Sequence, residues 1–271
     1  MTRKFWMCLL SSLVVITVAS PVKAETSTLV SIQTTRGVKQ SFILIKPEKP
    51  VAAVILFAGG HGALGLQDSA AMRWGALNFL VRTRQKFAAA NLIVVVMDAP
   101  ADQQQGMTAV FRISREHADD ISSVARYIKG QASVPVWLIG TSMGTFSAAG
   151  GAIGAKGVDG LILTSTITRS KPEWKIATSH ASGVASMALT RVNVPTLVMS
   201  HRKDGCDITP AADAPKLVSR LTAAKPVEVI LLDGGAPPKS DPCQAQSEHG
   251  FFGIENEAVG KMVSFVKAHS K

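Results

Sequence analysis

The stretch Gly140-Thr141-Ser142-Met143-Gly144 spells G-x-S-x-G. A serine in that setting is either a nucleophile presented on a sharp turn or a small residue opening a helix. With 22 glycines in 271 residues, the spelling alone arises by chance in about one such chain in six, so its surroundings decide its meaning. A second pattern, Gly60-His61-Gly62-Ala63-Leu64-Gly65, spells G-x-G-x-x-G after an apolar run, as a dinucleotide-binding turn would. That fingerprint asks for an acidic residue about 20 positions on. Asp98 is the residue that ends the next apolar run, and it stands too far from Gly65. Neither H-E-x-x-H nor a cluster of His and Cys is present, so no metal and no cofactor is expected.

The N-terminus carries an address. Arg3 and Lys4 precede an apolar run from Phe5 to Ala19, and Val22-Lys23-Ala24 has the small-residue spacing of a cleavage site. Residues 1–24 therefore read as a secretory signal peptide, with a mature chain of 25–271 exported to the periplasm or beyond. The run is short for a bilayer, and Cys8 lacks the neighbours of a lipoprotein site, so no stable membrane insertion is expected. Loss of Arg3, Lys4 and Lys23 with the leader lowers the formal charge from +10 to +7. The remaining cations are scattered and aromatics make up only 6% of the chain, which argues against a nucleic-acid surface. Export also changes the meaning of the two mature cysteines: an oxidising compartment favours a Cys206–Cys243 disulfide.

Alternating elements must carry these residues. An antiparallel hairpin is expected over 28–33 and 41–46, buried strands over 51–58 and 92–98, and further strands over 134–140, 160–166, 194–200 and 227–233. Helices are expected over 68–90, 113–129, 143–154, 211–224 and 255–268. Continuous Val/Ile/Leu runs between helices mean a mostly parallel sheet covered on both faces, an α/β architecture with an antiparallel edge. No linker or repeat divides it. Ser142 then falls where a strand ends and a helix begins, which is where an exposed nucleophile must sit.

On these residues the whole mature chain resembles the α/β hydrolases. The resemblance implies the chain order nucleophile, acid, histidine. It points to Asp204, after the strand "VPTLVMS", as the acid, with Asp207 as runner-up and a helix-capping role as its ordinary explanation. It points to His249, in the loop "SEHGFFGIE", as the base, because His269 sits on a basic C-terminal helix. His201 stays unassigned. The implied oxyanion donors are the backbone N–H groups of Met143 and Gly60, with His61 next after Gly60; Ala58-Gly59 stands where the family commonly has His-Gly. In this frame the Cys206–Cys243 bridge ties the acid loop to the histidine loop.

The resemblance implies hydrolysis of an ester, thioester or lactone of a small molecule through an acyl-serine. A non-catalytic binding protein or a small peptidase on the same scaffold are the alternatives. The stretch 166–193, where the family often inserts a lid, is short, so the cap should be small or missing. Trp174, Met187 and Leu189 within it either line an acyl pocket or pack the core, packing being the commoner fate. The sequence does not give the oligomeric state.

Overall fold

The structure is a computed structural model that describes residues 26–67 and 71–270. The leader reading, residues 1–24, lies outside them. Among the described residues eight strands form one sheet: β1 (Ser27–Gln33), β2 (Lys39–Ile45), β3 (Ala52–Phe57), β4 (Leu92–Met97), β5 (Val136–Ser142), β6 (Gly160–Thr166), β7 (Thr196–His201) and β8 (Val227–Leu232). Their order across the sheet is β1-β2-β4-β3-β5-β6-β7-β8. The first two pairings, β1 with β2 and β2 with β4, are antiparallel. All later pairings are parallel.

The pleat divides each central strand between two cores, because successive side chains point to opposite faces. Ala53, Ile55 and Phe57 of β3 join Ile93, Val95, Val136 and Leu138 in one apolar cluster. Over it lie α4 (Arg115–Gln131) and α5 (Gly144–Gly154). Ala52, Val54 and Leu56 join Val94, Trp137 and Ile139 in the other. That face is covered by α1 (Phe79–Arg82), α2 (Arg84–Ala89) and the C-terminal α7 (Glu255–Ala268). Two short helices complete the set, α3 (Ala109–Arg112) and α6 (Ala214–Val218). The expected doubly covered sheet with an antiparallel edge is what forms, and 167–195 holds only turns and two single 3-10 turns.

Two expected helices are shorter than their sequence patterns. The segment read as a helix over 68–90 is helical only from Phe79. Residues upstream instead pair with the glycine loop after β3: Trp74 N–H donates to Leu64 O at 3.0 Å, and Leu66 bridges Met72. Gly75 then takes φ +77°, which ends any helical path, and Asn78 caps α1 by accepting from the Leu80 N–H. The helix expected over 211–224 is reduced to a 3-10 turn, Ala211–Asp213, followed by α6.

Candidate active site

Ser142 is the last residue of β5 and has φ +53°. A left-handed backbone costs an L-residue roughly 1 kcal/mol, so its surroundings must hold it there. They do so by close approach on both sides. A Cβ on Gly140 would overlap the Gly144 carbonyl, and one on Gly144 would overlap the Phe57 carbonyl of β3. The register with β6 also shifts between Thr141 and Ser142. The Thr145 hydroxyl donates to Ser142 O at 2.5 Å, fastening the turn to the first residues of α5.

Two loops across the sheet meet beside it. His249 Nδ1 lies 3.0 Å from Asp204 Oδ2, and both side chains are almost wholly buried. The same carboxylate oxygen accepts from the Thr209 hydroxyl at 3.0 Å, and Oδ1 accepts from the Cys206 N–H at 3.0 Å. With its Nδ1 proton directed at a carboxylate, the imidazole presents Nε2 as a base. That Nε2 is buried and has no hydrogen-bond partner among the described residues, Ser142 included. The Ser165 hydroxyl donates to His249 O at 2.8 Å, and a Cβ on Gly250 would overlap Ala245 O, so the turn is tightly seated.

The other histidines and acids fall into place around this pair. Asp207 is exposed. His201 is buried: its Nδ1 accepts from the Lys203 N–H at 3.0 Å and its Nε2 faces Gly234 O at 2.9 Å. It stitches the acid loop to the end of β8. His269 packs at a tilt against Phe265 and lies 3.8 Å from Glu228, at the far end of its own helix. Cys206 and Cys243 are disulfide-bonded, linking the Asp204 loop to the segment that leads into His249. Among the described residues, Cys206, Asp207 and Cys243 are also the one group with metal-like spacing, but the bridge occupies both sulfurs.

The glycine loop after β3 faces the serine. A Cβ on Gly59 would stand 3.0 Å from the Ser142 Cβ and 3.1 Å from Thr141 O, so a side chain there would press on the elbow. The N–H groups of Gly60 and Met143 donate to no other protein group among the described residues. Asp98, the residue that follows β4, has a different task from binding a ribose. Its buried carboxylate accepts from the backbone N–H groups of Leu64 at 2.5 Å, Leu66 at 3.0 Å and Ala99 at 2.8 Å. It holds the loop from behind.

A cavity of about 550 Å³ opens over Ser142 and His249. Trp74, Leu77, Trp174 and Ile208 supply its apolar wall; Arg73 and Lys171 stand at it as cations. Trp74 and Leu77, which lie in the segment expected to be one long helix, are thus pocket residues. Of the three residues weighed in 166–193, Trp174 lines the cavity, whereas Leu189 and Met187 are buried in the core.

Solved structures share this frame. An esterase of Pyrococcus furiosus superposes with a TM-score of 0.64 at 16% identity, covering 95% of this chain and 96% of its own. A dienelactone hydrolase of Anabaena variabilis gives 0.61 at 13% identity, covering 92% and 100%. The chain has the α/β-hydrolase fold. A dipeptidyl peptidase 4 of Porphyromonas gingivalis gives 0.63 at 13% identity; there 91% of this chain corresponds to 36% of the larger one. No family model matches the sequence, and no curated protein does. A shared fold does not fix an activity, which has to be argued from the site.

Proposed function

We propose that this protein is an exported serine hydrolase that cleaves esters, thioesters or lactones of small molecules. It would use Ser142 as nucleophile, His249 as general base and acid, and Asp204 as the orienting acid. One observation carries the reading: a buried imidazole, fixed through Nδ1 by a buried carboxylate and unpartnered at Nε2, lines the same cavity as a left-handed serine. Two of the structural neighbours are described as an esterase and a dienelactone hydrolase, which favours acyl-oxygen bonds. Export after cleavage near Ala24 accords with the disulfide. Among the described residues no helix is long and apolar enough to cross a membrane.

The chemistry runs in two halves. Ser142 Oγ attacks the carbonyl carbon as its proton passes to His249 Nε2, a transfer that requires the two groups to come within hydrogen-bond reach when substrate binds. Asp204 stabilises the imidazolium and holds its tautomer. The N–H groups of Met143 and Gly60 receive the oxyanion, each worth roughly 3 kcal/mol of barrier. Collapse breaks the ester bond, and His249 hands its proton to the leaving alcohol. Water then repeats the sequence on the acyl-serine and releases the acid.

A fluorophosphonate probe tests this directly. The wild-type protein should be labelled at residue 142 and lose its turnover of p-nitrophenyl esters. Ser142→Ala should neither label nor turn over. Equal labelling of the two proteins, or none of either, would instead favour a non-catalytic binding protein on this scaffold.

A further inference from the structure

Arg112, the last residue of α3, is completely buried. Burial pushes its guanidinium down to about 10, which leaves it a cation at neutral pH. Such a cation ordinarily sits against a carboxylate. Here, among the described residues, its partners are three neutral oxygens. Nη2 donates to Gly60 O at 3.1 Å, Nη1 to the Ser147 hydroxyl at 3.0 Å, and Nε to Met107 O at 3.2 Å.

Those oxygens belong to three separate segments. Gly60 is in the glycine loop facing Ser142; Ser147 is on α5, which begins two residues after Ser142; Met107 precedes α3. The loop makes room for the side chain, since a Cβ on Gly62 would overlap Nη2. Met107 N–H donates to His61 O at 2.8 Å, so consecutive loop carbonyls are both fixed. Gly60 itself has φ +60°, and a run containing Gly59, Gly60, Gly62 and Gly65 has many backbone states open to it. Charge-assisted bonds in a planar fork select one of them. A buried cation without an anion contributes little to stability, and an apolar side chain would serve a purely structural role at lower cost.

We propose that Arg112 is a positioning residue for the oxyanion hole: by clamping Gly60 O to Ser147 of α5, it keeps the Gly60 N–H aimed at the oxyanion formed on Ser142. This rests on the esterase reading. The donor geometry matters when charge develops, so the clamp acts on turnover more than on substrate binding.

The test uses the mature chain as wild type, Ser142→Ala, Arg112→Met and Arg112→Lys, with active sites counted by fluorophosphonate titration. Per titrated site, Arg112→Met should lower kcat on p-nitrophenyl butyrate by about 100-fold, with KM within about threefold. Its affinity for a trifluoromethyl ketone, which forms an oxyanion on the serine, should fall in the same proportion. Arg112→Lys, which keeps the charge but cannot span three acceptors, should lose about tenfold, and it carries the test if Arg112→Met does not fold. A kcat per site within about threefold of wild type in the folded variant, or a loss carried by KM alone, overturns the proposal. A purely structural arginine would lower only the number of titratable sites. Wild-type protein without Ser142-dependent turnover overturns the esterase reading and this role with it, whereas turnover that survives loss of Arg112 overturns the role alone.

Discussion

Replacing Cys206 and Cys243 together by serine opens a bridge that joins residues 37 positions apart. Closing a loop of that length removes denatured-state entropy worth about 4 kcal/mol. For a chain of this size each kcal/mol moves the melting temperature by roughly 2–4 °C, so the double variant should melt about 10 °C below wild type. The site should also feel the loss. Cys206 N–H holds Asp204 Oδ1, and Cys243 belongs to the stretch that Ser247 fastens by donating to Pro242 O and Gln244 O, two residues before His249. Freed of the bridge, acid and imidazole are aligned by their own hydrogen bonds alone, and kcat should fall about tenfold with KM little changed. Differential scanning calorimetry measures the first effect, and ester turnover well below the lowered melting temperature measures the second. Dithiothreitol on the wild type should reproduce both. A melting shift under about 3 °C would refute the loop-closure argument. A full shift with wild-type kcat would refute the positional one, leaving the bridge as a fold staple.

Asp204→Asn should lower kcat/KM on p-nitrophenyl esters by about a thousandfold or more, while Asp207→Asn stays within about twofold, because only the former carboxylate meets His249. Asp98→Asn leaves one acceptor oxygen for amides now shared between two, and urea unfolding should show a loss of about 2 kcal/mol. His117 is buried between Phe57 and Phe111 with both ring nitrogens unpartnered, and burial, then Arg112 and Arg36, push it from 6.5 down to about 3. The unfolded chain takes up that proton first, so the contribution is whole above about pH 6.5 and drains away as pH falls toward 3; wild type should lose about 2 kcal/mol between pH 7 and pH 5, a dependence that His117→Phe should flatten in urea titrations at the two pH values.

The parts of the fold that were legible in the sequence are those whose cause is local. "VAAVILFA" and "LIVVVMD" are strands because a sheet buried on both faces accepts unbroken branched residues, and the elbow is legible because Gly140 and Gly144 flank the serine itself. The helix expected over 113–129 is there, and its start shifts to Arg115 because the Ser114 hydroxyl caps it by accepting from the His117 N–H. The illegible parts depend on distant partners. Nothing near Trp74 announces that its backbone pairs with Leu64, so a helical pattern was a fair reading of a pocket wall. Thr209, Arg112 and Asp98 meet partners 40, 52 and 34 residues away respectively, and no spacing rule reaches that far. Thr209 had one faint signal, its place five residues after the acid in the same loop.

The backbone at Ser142 has an evolutionary corollary. Glycine occupies left-handed φ freely, so a lineage kept only for its persistence as a folded object would drift toward glycine at this position. A serine there is a small standing handicap to folding, the trade expected where a position serves activity rather than durability.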